Sequence, residues 1–142
     1  METLPVIPRQ LMIRKFYLIS SLLLATLLAE AKRRVPAEVL PVTVGNIEYS
    51  APHRNSTHKQ MGFIEARELK SGKLIWSRQI YVVKYDPDLE GDVQDVFIKS
   101  ITVEGNNLII TNERNSKYQL DLNSLEVKVI QGSLVEETKF TR

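Results

Sequence analysis

Cysteine is absent from all 142 residues of the sequence. Its absence excludes disulfide bonds, thiol nucleophiles and metal sites built on cysteine. A domain without disulfides depends on its hydrophobic core, and the roughly 110 residues beyond the N-terminal region are enough to bury one. The hydrophobic fraction of 43% and the charged fraction of 25% are those of an ordinary globular protein.

An excess of charge of either sign is also lacking. The 19 basic and 17 acidic residues are interleaved and leave a net charge of only +2. Electrostatic nucleic-acid binders concentrate Lys and Arg on one face, so we expect no nucleic-acid partner. No serine lies in a nucleophile motif such as G-x-S-x-G, and the carboxylates are scattered among predicted strands. We therefore predict that the protein is not an enzyme.

The longest apolar run covers residues 16–29 and reads FYLISSLLLATLLA. It is shorter than the ~20 residues that a membrane-spanning helix usually needs. Arg14 and Lys15 precede it, and Ala29 and Ala31 occupy the two positions that a signal peptidase reads. This arrangement predicts a signal helix within residues 1–31, cleavage after Ala31, and export to the periplasm or the medium.

Two alternatives to a cleaved signal remain open. Lys32, Arg33 and Arg34 follow the apolar run directly, and positive charge there resists translocation, which favours a retained N-terminal membrane anchor. A buried helix of the domain is the second alternative. A membrane contact is expected only through this segment. Residues 1–11 fit a signal poorly, and Met12 is the expected true start.

Residues 32–41 are predicted to be an extended linker, because Pro36 and Pro41 disfavour a helix. From residue 42 to residue 130, short β-rich runs alternate with turn residues such as Gly45-Asn46. The pattern predicts an all-β domain of about seven strands behind the signal helix. We expect an antiparallel meander that forms a small sandwich or a partial-propeller-like sheet. Residues 131–142 are predicted to be a polar tail that is frayed or forms a short helix.

The longest predicted strand covers residues 73–85 and is apolar on both faces, with Trp76 on one face and Tyr81 and Tyr85 on the other. Such a strand is usually central in its sheet or buried in an interface. Large aromatic side chains supply much of the buried area of a protein. We therefore expect Trp76, Tyr81, Tyr85 and Phe97 to be core or interface residues.

Residues 62–76 read GFIEARELKSGKLIW and resemble one blade repeat of quinoprotein-type (PQQ-like) β-propellers. In such repeats a Thr/Ser-Gly-Lys turn joins two strands, the second of which carries a Trp. Residues 107–127 are a weaker echo that lacks the Gly and the Trp. The quinone-binding residues of those proteins have no counterparts here, so the resemblance implies no cofactor. A closed propeller needs about four blades or more, and the chain has strands for two at most.

The whole stretch of residues 42–127, with YDPDLEGDVQDVFI at its centre, is also similar to a family of small, exported, uncharacterised bacterial proteins. That resemblance implies bacterial export. It implies no activity.

Asp86, Asp88, Glu90 and Asp92 are spaced like the first ligands of a calcium-binding loop. The twelfth position, however, is Phe97 instead of a bidentate Glu, and the flanking segments are predicted strands rather than helices. The other interpretation is a solvated acidic loop that needs no metal ion. We predict no cofactor, with calcium as the alternative.

His53 and His58 lie in one polar segment, but two imidazoles without a third ligand make no defined metal site. They are interpreted as solvated loop residues. Residues 55–57 match a glycosylation sequon, which matters only in a eukaryotic source.

The sequence as a whole favours an exported, non-catalytic β module with a structural or partner-binding role in the bacterial envelope. The expected partner is another envelope protein, or a second copy of the chain, that binds through an edge strand. The feature behind this expectation is the long strand of residues 73–85, which should either be covered by a second sheet or pair with another chain at an exposed edge. A calcium-binding module is the alternative function.

Overall fold

A computed structural model describes residues 33–53 and 61–137 of the protein. The predicted signal helix, its cleavage site and the start at Met12 lie outside the described residues, as do His58 and the sequon. Among the residues that are described, no helix is long and apolar enough to cross a membrane.

The described residues form ten β-strands and one short helix. In the first half these are β1 (Val42–Val44), β2 (Ile47–Ser50), β3 (Phe63–Glu68), β4 (Leu74–Gln79), β5 (Val82–Lys84) and helix α1 (Gly91–Gln94). In the second half they are β6 (Ile98–Glu104), β7 (Asn107–Asn112), β8 (Lys117–Asp121), β9 (Val127–Gln131) and β10 (Val135–Glu137).

Two four-stranded antiparallel meanders make up most of the domain. Strands β1 to β4 form the first sheet and β6 to β9 the second, each in the order of the chain. Strands β5 and β10 follow the two meanders and pair with each other in parallel. The predicted all-β fold with antiparallel sheets is thereby confirmed.

The two meanders turn in the same way. The first hairpin of each sheet turns at a Gly-Asn pair, in which Gly45 (φ +60°) and Gly105 (φ +59°) adopt the left-handed conformation that glycine tolerates. In the β3–β4 turn the Gly72 N–H donates to the Glu68 carbonyl (2.8 Å). In the β8–β9 turn the Leu125 N–H donates to the Asp121 carbonyl (2.9 Å).

Two more backbone hydrogen bonds recur at equivalent places in the two sheets. In the first sheet the Glu68 N–H donates to the Lys73 carbonyl, and in the second the Asp121 N–H donates to the Glu126 carbonyl. Likewise, the Leu69 N–H donates to the Asn46 carbonyl in the first sheet, and the Leu122 N–H donates to the Asn106 carbonyl in the second. The domain is therefore an internal repeat of four strands plus one.

Residues of both sheets share one core. Ile64 and Ala66 of β3 are fully buried, and so are Leu108 of β7 and Leu120 of β8. Counted from the equivalent turns, Ala66 corresponds to Gln119, which points away from the face of Leu120 because side chains alternate along a strand. The core is therefore built from opposite faces of the two repeats. One face of the first sheet packs against the non-equivalent face of the second.

The run of residues 73–85, predicted as one strand, is divided in the structure. Strand β4 ends at Gln79, where the Ile80 N–H donates to the Gly62 carbonyl (2.7 Å). Tyr81 then enters the core, and its hydroxyl donates to the carbonyl of Val96 (2.6 Å). The chain continues as β5 in the small parallel sheet, away from the first meander.

Of the two positions expected for this run, central in its sheet or buried in an interface, the structure contradicts the central one. Strand β4 is one of the two outer strands of the first sheet, and Leu74 and Ile75 are 43% and 50% exposed. The run of residues 73–85 is apolar on both faces because its second half belongs to another sheet. That half contains the buried Val83 of β5.

Part of the predicted polar tail is an ordered strand. Gln131 belongs to β9, and residues 135–137 form β10, in which Glu136 is buried. The described residues contain ten strands, whereas about seven were predicted, and two of the additional strands are β10, which was not expected, and the second strand of the divided long run.

Candidate functional site

Three of the four carboxylates suggested as calcium ligands are exposed. They are Asp86, Asp88 and Glu90, whereas Asp92 is partly buried in α1. The Asp86 carboxylate accepts a hydrogen bond from the backbone N–H of Asp88 (3.0 Å), as in an ordinary Asx turn. Within residues 33–53 and 61–137, no group of three or more His, Asp or Glu side chains is placed to hold a metal ion. The geometry gives the calcium interpretation no support.

A buried amide organises this acidic loop. The side chain of Gln94 has no exposed surface, and its Oε1 accepts a hydrogen bond from the Asp86 N–H (2.6 Å). Its Nε2 donates to the carbonyl oxygens of Asp86 (2.9 Å), Leu89 (3.2 Å) and Glu90 (3.3 Å). The loop is thus gathered around a neutral side chain.

The fifth carboxylate of the segment is used internally. Asp95 is buried, and its Oδ1 accepts a hydrogen bond from the Tyr85 hydroxyl (2.6 Å). Burial and this contact with Asp95 raise the pKa of Tyr85 above its usual range. Tyr85, which was expected in the core or an interface, is partly buried and tethers the loop.

Two of the other aromatic residues selected from the sequence are buried in the core. Tyr81 stacks on Tyr118 with ring centroids 5.3 Å apart, and burial raises the pKa of Tyr81. Phe97 packs on His53 with centroids 4.6 Å apart. The backbone N–H of His53 donates to Glu38 (2.8 Å), which fastens the linker to the domain.

Trp76 lies at the margin of the core. It is partly buried on the outer strand β4 and packs against Tyr49 of β2, with ring centroids 5.7 Å apart. Whether its exposed part also belongs to an interface stays a prediction.

A buried polar cluster lies where β10 meets the second sheet. Its residues were not among the candidates predicted from the sequence. The Glu136 Oε1 accepts a hydrogen bond from Asn112 Nδ2 (2.8 Å) and lies 2.8 Å from the Tyr118 hydroxyl. Arg114 Nη1 lies 3.7 Å from the other carboxylate oxygen. Asn112, Tyr118 and Glu136 are all buried.

The charge of Glu136 is stabilised by these neighbours. Burial alone would raise the pKa of this carboxyl, but hydrogen bonds from Ser116, Asn112 and Tyr118 and the positive charge of Arg114 hold the pKa below its ordinary value of 4.5. Burial and the contact with Glu136 raise the pKa of Tyr118. The cluster therefore holds a carboxylate that is charged at neutral pH and satisfied by neighbouring side chains.

No local pattern marks this cluster in the sequence. Asn115-Ser116 is recognisable as a turn, and Asn115 has the left-handed conformation (φ +62°) that asparagine tolerates. The partner of that turn, Glu136, belongs to a different strand, and only the fold brings the two together.

Strand β4 and the turn before it carry exposed apolar and basic side chains, which we call the β4 surface: Lys70, Lys73, Leu74, Ile75 and Arg78. Trp76 pairs with Ala66 and Leu74 with Arg67, so Ile75 is the extra residue of a bulge. The three cations are exposed and form no ion pair with any residue in the described part of the chain. The β4 surface is thus both apolar and positively charged.

Comparison with models of known protein families finds no match, and comparison with curated protein sequences finds no significant match.

Proposed function

We propose that residues 34–137 form a non-catalytic protein-binding module of a bacterium, and that it acts outside the cytoplasm. The observation that carries the proposal is the β4 surface on an outer strand of the first sheet. The polar clusters of the domain support the non-catalytic part. In each of them, the buried ionisable groups serve as hydrogen-bond partners that hold a loop or a strand in place.

Exposed apolar side chains on an outer strand favour a partner. Leu74 and Ile75 each expose about half of their surface. Fully burying such a side chain contributes roughly 1.5–3 kcal/mol, so covering the exposed part of each would contribute about 1 kcal/mol. Outer strands are also the places where an extended segment of another protein adds to a sheet.

The charges of the β4 surface select the chemistry of the partner. Lys70, Lys73 and Arg78 are exposed, and none of them forms an ion pair with a carboxylate among the described residues. Complementary charge accelerates association and excludes partners of the same sign. The partner is therefore an extended segment that combines acidic and apolar side chains, and a second β4 surface does not meet that requirement.

The proposal includes a finer description of the fold. The two meanders are two blades of a quinoprotein-type repeat, stacked as neighbouring blades stack. The repeated hydrogen bonds of the β3–β4 and β8–β9 turns support this description, as does the packing of opposite faces of the repeats. A structural use as a binding platform is consistent with two blades that do not close a ring.

The site of action is proposed from the sequence alone. Arg14-Lys15, the apolar run of residues 16–29 and the small residues Ala29 and Ala31 support export through a cleaved signal. Sequencing the N-terminus of protein isolated from the bacterial envelope is expected to give Lys32 first. An intact N-terminus in the membrane fraction would support the anchored alternative.

Binding to the β4 surface can be tested with designed peptides. Trp76 is the only tryptophan of the chain and lies on β4, so its fluorescence reports binding there. A peptide in which Glu alternates with Val is expected to bind, whereas a peptide in which Lys alternates with Val is not. Arg78→Glu is expected to raise the Kd of the Glu peptide about tenfold through the lost and reversed charge.

The matched control is Lys128→Glu, which reverses an exposed cation on β9, an outer strand of the second sheet. This variant is expected to bind the Glu peptide as the wild type does. Equal binding of both peptides, binding of neither, or equal weakening by the two substitutions would contradict the proposal.

A further inference from the structure

Strand β10 lies in a slot formed by β5 and by side chains around the β7–β8 turn. The slot holds the backbone of the strand as well as its side chains. The Tyr118 hydroxyl lies 2.6 Å from the Ser133 carbonyl, and Arg114 Nη1 donates to the Glu137 carbonyl (2.6 Å). Next to them, the Val82 N–H donates to the Leu134 carbonyl (2.9 Å). The slot is therefore a built site for an extended acidic segment.

The deepest contact in the slot is specific for glutamate. The carboxylate of Glu136 is buried among Asn112, Ser116 and Tyr118, with Arg114 beside it. An apolar side chain would leave these donors unsatisfied in a buried place, and a neutral amide would leave Arg114 without the opposite charge beside it.

Apolar burial contributes little to holding β10. Leu134 and Val135 are 46% and 45% exposed, and the strand pairs with β5 over only three residues, Val135–Glu137. The strand is held by polar contacts, and the same segment of a second copy would make all of them equally well.

The connection that leads into the slot is short and bent. Only residues 132–134 separate β9 from β10, and Gly132 adopts φ +89°. A Cβ at Gly132 would lie 2.2 Å from the Oγ of Ser116, so the bend requires glycine. Glycine adopts this backbone without strain, but a short connection favours exchange of the following element between copies once a side chain at the bend destabilises the closed form.

We propose that β10 exchanges between two copies of this chain, so that the slot of each copy holds the C-terminal strand of the other. The exchanged dimer is symmetric and makes the same contacts as the closed monomer, and only the connection at Gly132 differs. This inference is independent of the β4 surface and of its partner.

The first experiment removes the bend. Gly132→Ala puts a side chain where the closed connection has no room, whereas an extended connection accepts it. The purified variant, measured by light scattering after gel filtration, is expected to show a ratio of dimer to monomer about tenfold higher than the wild type.

The control is Gly105→Ala, which has a similar left-handed backbone with no atom within 4 Å of the new Cβ. It is expected to keep the wild-type ratio. A Gly132→Ala protein that stays monomeric, or a Gly105→Ala protein that dimerises to the same extent, would overturn the proposal.

The second experiment does not depend on the folding of any single variant. Asn112→Asp keeps the acceptor that holds the β7–β8 turn but removes the donor to Glu136. Glu136→Lys disables the strand and leaves the slot intact. The two full-length variants, refolded together, are expected to form a mixed dimer that melts several degrees above either variant alone. A mixture that melts as the average of its two components would overturn the proposal.

Discussion

In the acidic loop, the side chain of Gln94 gathers backbone groups in the way that a bound cation gathers oxygen ligands. Three carbonyl oxygens face its Nε2, and one N–H faces its Oε1. The amide satisfies these groups without charge, so the loop can enclose it in the protein interior. The sequence alone predicted the loop but not this role, because a glutamine at position 94 carries no local sign of which carbonyls it will meet.

Gln94→Glu is expected to lower the free energy of unfolding by about 3 kcal/mol at neutral pH. The shape of the side chain is retained, but a carboxylate oxygen then faces the carbonyls of Asp86, Leu89 and Glu90 without a donor between them. Urea denaturation gives the measurement, and part of the loss is expected to be recovered at low pH, where the new carboxyl is protonated. Asp88→Asn on the exposed side of the loop is the control, and an equal loss in both variants would contradict the role of the amide.

Glu136 is expected to make the stability of the protein depend on pH in the acid range. Its pKa in the folded protein is lower than the ordinary value of 4.5. The stabilisation is therefore fully present above the unfolded pKa and is lost as the pH falls through the folded pKa. Glu136→Gln is expected to lower the free energy of unfolding by roughly 2 kcal/mol at pH 7 and to flatten its decline in acid.

The control for this prediction is Glu137→Gln. The carboxylate of Glu137 pairs with Lys84 at 3.0 Å, but both side chains are exposed, and exposed pairs contribute little. Denaturation measured from neutral to strongly acidic pH distinguishes the two residues. An unchanged acid decline in Glu136→Gln would show that other carboxyls control it.

At the scale of the elements, the turns could be predicted from the sequence, but the element against which each strand packs could not. The left-handed backbone of Gly45 and Gly72 is a local property of glycine, so the hairpins were recognisable from the sequence. The end of β4 depends on Tyr81 leaving the sheet to stack on Tyr118 in the other repeat. Such a contact has no local signature, and an uninterrupted apolar pattern therefore predicted one long strand.

The ordered position of β10 escaped prediction for the same reason. Its residues are mostly polar, and only the pairing with β5 and the cluster around Glu136 give it an ordered place. Of the candidate site residues, the buried positions of Tyr81 and Phe97 followed from their size and apolar character, whereas Asn112 and Glu136 were not selected.

The β3–β4 turn is expected to depend on its glycine. Gly72 has φ +68°, and a Cβ there would meet no atom within 4 Å, so Gly72→Ala isolates the cost of the backbone conformation. We expect a loss of about 1 kcal/mol in the free energy of unfolding. Gly91→Ala is the control, because Gly91 begins α1 with ordinary φ and open space around it. Thermal denaturation should show a lower Tm only for Gly72→Ala, and equal values would contradict the strain at the turn.

The loop between β5 and β6 is expected to be indifferent to calcium. Its shape is held by Gln94, and its exposed carboxylates do not come together in the described structure. Binding with a Kd of about 10 μM would stabilise the fold by ~2.7 kcal/mol at 1 mM calcium, which a thermal scan detects easily. We expect the Tm to stay unchanged. A rise of several degrees that Asp88→Asn abolishes would restore the calcium interpretation.

At the scale of the whole molecule, the two repeats depend on each other because they share one core. Side chains from β3 and from β7 and β8 are buried in the same cluster, and Tyr81, which follows the first sheet, stacks on Tyr118 of the second. Small domains with one core unfold in a single cooperative step, so we expect the two sheets to unfold together.

Leu120→Ala tests this dependence, because Leu120 is a fully buried residue of the second sheet, whereas Trp76 reports on the first. The substitution is expected to lower the free energy of unfolding by about 3 kcal/mol, as truncation of a buried leucine does. The Trp76 fluorescence transition and the circular dichroism transition should move together by that amount. Leu40→Ala, at an 84% exposed linker position, should leave both in place. A fluorescence transition that does not move in Leu120→Ala would mean that the first repeat keeps its fold without the second, and the shared core would then not be what stabilises either sheet.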